Sequence, residues 1–329
     1  MQARFFDETK NVCMLCPRHC KIPAGSHGFC RVRDNRNGQL LTRTYGEISA
    51  CGIDPIEKKP LNHFLPGSAT LSISSFGCNF TCKHCQNHTL SQTISCTTEY
   101  ADPEDIVRIA NQNQVDSISF TYNEPTVFYE YMYDVAKLAH ASGLKTAIIT
   151  NGYICEDPCT ELAPYIDAFR IDLKAFSETF YQNICGNAHL QPVLDTIGRV
   201  AELKRHLELV TLIIPTLNDS PEELNRMLAW ELETLGPAIP HHFTAFSPNY
   251  QLTSIPAADH AQMEKVFLQA KKAGLWYPYI GNVIHNEGST TSCPSCNTKL
   301  IQRMGYISRM PGIENGHCKH CGRKIEGVF

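Results

Sequence analysis

Six short apolar runs recur through the middle of the chain, at Leu71–Phe76, Ser117–Thr121, Lys145–Thr150, Ala168–Leu173, Leu207–Ile214 and His242–Phe246. They are close to continuous rather than alternating, which is the pattern of strands covered on both faces. Between them the spacing changes to that of helices. Pro103–Asn113 follows Asp102 as N-cap, with Pro at the first position and Asp105 in the first turn. Pro125–Ala141 sets Val127, Phe128, Tyr131, Met132, Val135, Leu138 and Ala139 on one side and stops before Gly143. Pro192–His206, the stretch from Ser220 to about Leu235, and Ala258–Ala273 before Gly274 complete the series. Six β–α alternations with apolar strands predict an α/β body with a parallel sheet. The pattern alone leaves open whether that sheet rolls into a partial barrel or lies open and doubly wound.

Composition adds bounds. At 329 residues the chain exceeds the size at which one core usually stops growing, so one large domain with small appendages is expected. A net charge of −4 without a long Lys or Arg run argues against a dedicated nucleic-acid or anionic-membrane surface. The opening Met-Gln-Ala-Arg-Phe-Phe-Asp-Glu lacks a signal-peptide core, no apolar run approaches membrane-spanning length, and a cytoplasmic location is expected. In such a compartment the sixteen cysteines read as metal ligands or catalytic groups before disulfides. Eleven of them fall into three groups: Cys13, Cys16, Cys20 and Cys30; Cys78, Cys82 and Cys85; and Cys293, Cys296, Cys318 and Cys321. This partition gives a Cys-rich module over 1–66, a catalytic body over 67–285 and a C-terminal knuckle pair over 286–329. Cys51, Cys96, Cys155, Cys159 and Cys185 are most simply unligated.

The middle group, C-x3-C-x2-C, comes directly after the first predicted strand. Soft thiolates in a close run suit three of the four irons of a [4Fe-4S] cube. The next cysteine, Cys96, lies eleven residues past Cys85 across a polar stretch, so one iron is left open to an outside ligand. Asn79, Lys83 and His84 are poor company for plain buried thiols. Other strand ends are polar as well. They carry Tyr122-Asn123-Glu124-Pro125, Thr150-Asn151-Gly152-Tyr153, Asp172-Leu173-Lys174 and Ile214-Pro215-Thr216-Leu217-Asn218-Asp219, and the sixth strand carries His242. Blander readings stand beside these: a helix start at Glu124, a salt bridge between Asp172 and Lys174 on one strand face, a capped turn at Asn218, and a hydrogen-bonded core His242.

The N-terminal set places four ligands in 18 residues, which suits tetrahedral zinc and an auxiliary iron–sulfur cluster equally. Asp54-Pro55-Ile56-Glu57-Lys58-Lys59-Pro60, which links it to the body, reads as an ordinary solvated loop. At the other end, Cys293-Pro294-Ser295-Cys296 and Cys318-Lys319-His320-Cys321-Gly322 are two knuckles with 21 residues between them, for which structural zinc is the preferred reading over a second cluster.

The triad resembles the signature of the radical S-adenosylmethionine (radical SAM) superfamily. The resemblance implies an incomplete (β/α)6 barrel with its working groups at the C-terminal strand ends, flanked by the Cys-rich module and a zinc-ribbon-like extension. It implies that SAM chelates the open iron and that an electron supplied by flavodoxin or ferredoxin cleaves it to a 5′-deoxyadenosyl radical. Site residues follow by the same likeness. Asp172 and Lys174 would face SAM or substrate, and His84, Asn87, Tyr122, Asn123, Glu124, Thr150, Asn151, Gly152, Pro215 and Thr216 would line the SAM site, with His242 as a substrate contact. Enzymes of the activating type usually have Gly-Gly-Glu-Pro where this chain has Tyr122-Asn123-Glu124-Pro125. The ordered set of N-terminal cysteines, Asp54–Pro60, Phe76–Asn87, Phe120–Thr126, Phe246–Tyr250, Tyr279–Asn282 and the terminal knuckles is similar to the radical SAM component of the AmmeMemoRadiSam system, which implies AMMECR1-like and Memo-like partners. A glycyl-radical enzyme activating enzyme is the alternative. From another class, a zinc-knuckle module for nucleic acid is disfavoured by the acidic balance and the β–α units.

Overall fold

The computed structural model describes residues 1–329. Eight strands form the central sheet: β1 (Ala50–Pro55), β2 (Ala69–Ser74), β3 (Ser117–Phe120), β4 (Lys145–Thr150), β5 (Ala168–Asp172), β6 (His206–Ile213), β7 (His241–Ala245) and β8 (Pro278–Gly281). They lie side by side in chain order; β2 to β8 are parallel, and β1 runs antiparallel along β2. The six predicted strands are present. β8 is a further parallel strand that the apolar pattern did not announce, and β1 draws the antiparallel edge from residues assigned to the N-terminal module. No ladder joins β8 to β1, so the sheet is open between its two edges.

Helices cover one face. α1 (Pro103–Gln112) starts with a full capping box between Asp102 and Asp105. α2 (Tyr129–Ala141) is entered through a tighter turn over Pro125–Phe128. α3 (Glu156–Leu162) and α4 (Glu178–Ile184) are short helices absent from the sequence pattern. α5 (Gln191–Glu202) stops before the predicted His206, because Lys204 turns the chain at φ 55° and His206 already opens β6. α6 (Pro221–Thr234) is capped by Ser220, whose hydroxyl accepts from the Glu223 amide at 3.2 Å, and α7 (His260–Ala273) by Asp259. Their apolar faces meet Ile118, Phe120, Ile148, Phe169, Ile171 and Leu209 of the sheet in the main core.

The other face wraps residues 56–65. Ile56, Leu61 and Phe64 pack on Ala147 and Ile149 of β4 and Ala168 of β5. The same segment bonds to β5 (Arg170 Nε to the Lys59 carbonyl, 2.8 Å), β6 (amides of Asn62 and His63 to the Glu208 carboxylate, 2.9 and 2.7 Å) and β8 (His63 Nε2 to the Tyr279 hydroxyl, 2.7 Å). One ten-residue segment thus reaches four strands of this face, from β4 to β8, across strands spaced about 4.8 Å apart. Residues 54–60 are therefore no solvated loop. Asp54, Ile56, Glu57 and Lys59 are buried, and the charges are tolerated because Asp54 accepts Lys58 at 2.7 Å and Lys59 at 2.6 Å.

The small ends pack on opposite sides of this body. At the N-terminus, Phe6–Asp7 pairs with Val12–Cys13, and Arg33–Arg36 with Gln39–Thr42. At the C-terminus, Thr291–Ser292, Lys299–Met304 and Ile307–Arg309 form a small antiparallel sheet whose Leu300 and Ile301 share a core with Tyr277 and Tyr279. No helix is long and apolar enough to cross a membrane.

Candidate active site

β2 delivers the chain to a loop at the C-terminal end of the sheet, and this loop carries Cys78, Cys82 and Cys85. Its shape depends on Gly77. There φ is 81°, and a Cβ would lie 2.7 Å from both the Cys30 carbonyl oxygen and Val32 Cγ1, so only glycine lets the N-terminal module close on the loop. Asn123 fastens the same stretch from β3: its amide oxygen accepts from the Ser75 N–H at 3.2 Å and its amide nitrogen donates to the Gly77 carbonyl at 3.0 Å. The sulfurs have donors. The Phe80 amide reaches Cys78 Sγ at 3.3 Å and the Ser91 hydroxyl lies 3.1 Å from Cys85 Sγ. Burial pushes the Cys78 thiol well up and the Cys85 thiol up, whereas a hydrogen bond from the Cys185 thiol pulls Cys82 down against its burial. Lys174 faces this group. Burial works to lower its pKa, but the Cys82 and Cys185 sulfurs leave it raised, so it stands opposite them as a cation. His84 is buried with Nδ1 unpartnered, and its pKa is held down to about 3 by burial.

The strand-end residues gather around the loop. Glu124 accepts three donors, the Thr126 amide (3.0 Å), the Thr150 hydroxyl (2.6 Å) and the Asn151 amide (2.8 Å), and so ties the end of β3 to the end of β4. Asn151 in turn donates to Asn79 Oδ1 at 2.8 Å and lies 3.9 Å from Cys78 Sγ. Asn87 donates to the Tyr122 carbonyl at 2.8 Å, and Gly152, at φ 72°, brings backbone close to Ile171. Asp172 and Lys174 form an ion pair at 2.8 Å, as their shared strand face allows. Pro215 is buried and Thr216 exposed past the end of β6, where Asn218 holds the turn by donating to the carbonyls of Lys174 (2.7 Å) and Leu212 (2.8 Å).

His242 is not among them. It is the second residue of β7, at the opposite end of the sheet, where its Nε2 lies 2.6 Å from the Glu208 carboxylate under the 56–65 segment. A hydrogen-bonded core histidine is the correct description. Conversely, Asp54, Lys59 and Arg170 line the wrapped face without having been read as site residues: Asp54 accepts the Tyr122 hydroxyl, Lys59 sits 4.6 Å from the Tyr122 ring centre, and Arg170 pairs with Asp172. The spacing Arg170-x-Asp172-x-Lys174, three charges on one face of an apolar strand, was the signal that could have found Arg170. Cys185, read from the sequence as unligated, stands against Cys82 and hydrogen-bonds to it.

The two outer cysteine sets differ in shape. Cys293, Cys296, Cys318 and Cys321 bring all four sulfurs within 4.8 Å of one another, with Cys293–Cys321 at 3.6 Å and Cys296–Cys318 at 3.7 Å. Both knuckles use the same turn, closed by Asn297 N to Cys293 O and by Gly322 N to Cys318 O, each 2.8 Å, with Asn297 and Gly322 at positive φ. The N-terminal four do not close in this way. They surround a cavity of about 20 Å³ together with Leu15, Ile22 and Val127, and Asn79 of the triad loop forms part of its wall.

Comparison with known proteins agrees with this arrangement. The family model of the Radical SAM superfamily matches residues 72–228, from β2 into α6. An uncharacterized protein of Methanocaldococcus jannaschii is 41% identical over 327 residues, covering 98% of this chain and 97% of its own length. The 4-hydroxyphenylacetate decarboxylase activating enzyme of Clostridium scatologenes is 29% identical over 229 residues, or 65% of this chain and 70% of that one. Among solved structures, a radical SAM methyltransferase from Sphaerobacter thermophilus shares the fold at a TM-score of 0.52 and 15% identity, over 68% of each chain. With the triad at the head of the sheet and the matched span running through it, the chain is an enzyme of the radical SAM superfamily, with homologues among the activating enzymes.

Proposed function

We propose that Cys78, Cys82 and Cys85 hold a [4Fe-4S] cluster with SAM on its open iron, and that the enzyme abstracts hydrogen from a substrate at the C-terminal end of the sheet. The observation that carries this is the convergence of four strand-end segments on one three-thiol loop with a cation opposite. The donor set fits the group: three soft sulfurs, each free of a disulfide, with N–H and O–H donors of the kind that tune cluster thiolates. When bound, cluster and SAM supply a 5′-deoxyadenosyl radical through one electron from flavodoxin or ferredoxin. The chain's own residues hold and orient. A carboxylate offers about four acceptor positions, and Glu124 uses three internally, leaving one for an ammonium. Asn123 is committed at both ends to the triad loop, so its part is to hold the sulfurs in place. Lys174 offsets thiolate charge.

The C-terminal set supports zinc. A tetrahedral ion with bonds of about 2.3 Å sets its sulfurs about 3.8 Å apart, close to the 3.6 and 3.7 Å found. The ordered motifs along the whole chain support the AmmeMemoRadiSam assignment, with AMMECR1-like and Memo-like proteins as partners in the cytoplasm. The activating-enzyme homologue favours a second reading, and a glycyl doublet raised by this enzyme in a candidate partner would establish it. The test of the main reading is anaerobic: Cys82→Ala loses the SAM-sensitive EPR signal and 5′-deoxyadenosine formation together. Undiminished 5′-deoxyadenosine from that variant would overturn it.

A further inference from the structure

We infer that the N-terminal site of Cys13, Cys16, Cys20 and Cys30 holds a second, fully ligated [4Fe-4S] cluster rather than a zinc ion, and that it passes single electrons to the triad site.

The argument starts with how far sulfurs stand apart. A single ion draws its thiolates almost into contact, whereas a cube places four irons and four sulfides between them. The C-terminal sulfurs meet the first condition; no three of the N-terminal sulfurs lie within 4.8 Å of one another, and in this they resemble the triad. They nevertheless face one cavity of about 20 Å³, whose other walls include the apolar side chains of Leu15, Ile22 and Val127 and the polar ones of Arg33 and Asn79.

Two of the sulfurs also have donors: Cys20 accepts from the Phe29 amide at 3.3 Å and Cys13 lies 3.7 Å from Arg33 Nη1. Arg33 is 1% exposed, is paired with Glu130, and keeps Nε unpartnered at the cavity wall. The buried guanidinium offers the sulfurs a hydrogen-bond donor. It suits zinc and cluster alike, so the sulfur separation decides between them.

Position gives the role. Asn79 is one wall of the cavity and accepts from Asn151, which lies against Cys78 Sγ, while the Cys30 carbonyl packs so closely on Gly77 that a Cβ there would lie 2.7 Å from it. The relay rests on the proposed reading of the triad. In it the reduced N-terminal cluster (1+) gives one electron to the triad cluster (2+ to 1+), returns to 2+, and is refilled by the same flavodoxin or ferredoxin. The identity of the N-terminal group does not rest on that reading.

The test compares anaerobically purified full-length protein with two variants. With Cys78, Cys82 and Cys85 all changed to Ala, about four irons and one zinc should remain per chain, with a reduced-cluster EPR signal that SAM does not alter. With Cys13→Ala and Cys16→Ala, iron should fall from about eight to about four while the SAM-sensitive signal stays, and 5′-deoxyadenosine formation driven by flavodoxin should drop at least tenfold. Two zincs and no iron in the triad variant would overturn the proposal, as would two irons. Should the triad reading itself be wrong, the N-terminal variant would instead remove all the iron, and SAM would alter no signal in the wild type.

Discussion

The two four-cysteine regions have similar ligand counts and opposite geometry. At the C-terminus two identical knuckle turns aim their sulfurs at one point, and the surrounding sheet is small enough that Leu300, Ile301 and Ile313 need the shared wall of Tyr277 and Tyr279. At the N-terminus the sulfurs stand off around a cavity, and the module is seated on the loop of the triad and on α2, where Arg33 pairs with Glu130. Ligand spacing along a chain therefore counts ligands, while the turns between them decide what is held.

That contrast can be broken at three points. The largest effect is expected from Cys293→Ala with Cys318→Ala. Structural zinc contributes about 10–16 kcal/mol in isolated finger peptides, so the terminal sheet should lose its order, seen as proteolysis within 286–329 and zinc falling from one per chain to none. Iron should be unchanged; iron lost along with zinc would mean that the two ends are not independent. Next is Gly77→Ala. Overpacking costs about 1–3 kcal/mol, and positive φ adds to it. Here the signature is inverted, with iron reduced and zinc kept, measured by metal analysis beside the melting temperature.

The smallest effect at neutral pH, growing in acid, concerns His63, which joins the 56–65 segment to the C-terminal end through the Glu326 carbonyl at 2.6 Å and the Tyr279 hydroxyl at 2.7 Å. Burial holds its pKa down to about 3, against the usual 6.5. Between these values the unfolded chain binds a proton that the folded one does not, so stability falls as pH drops from about 6.5 toward 3, by up to about 1.4 kcal/mol per unit. His63→Gln should flatten this slope in denaturant melts from pH 7 to 5; an unchanged slope would show that other groups carry it.

How much of this was legible follows from what each signal depends on. β4 was read to the residue because a parallel strand buried on both faces is a continuous apolar word. β8 escaped because it opens with Pro278, a residue that demotes a strand reading, and α3 and α4 escaped because seven residues give two turns, too few for a period. The triad was visible as spacing and Glu124 as a strand-end carboxylate. The buried segment 54–60 was not, since Asp54, Lys58 and Lys59 satisfy one another and a paired charge looks the same in sequence as a solvated one. His242 misled for a related reason: its partner, Glu208, is distant in the chain.

The buried stretch from Ile56 to Leu65 has one more consequence. It fills the face of the sheet away from the triad with packed side chains and is held there through Glu208. A molecule that reached past the triad from the strand ends would therefore meet that packed segment rather than an empty channel.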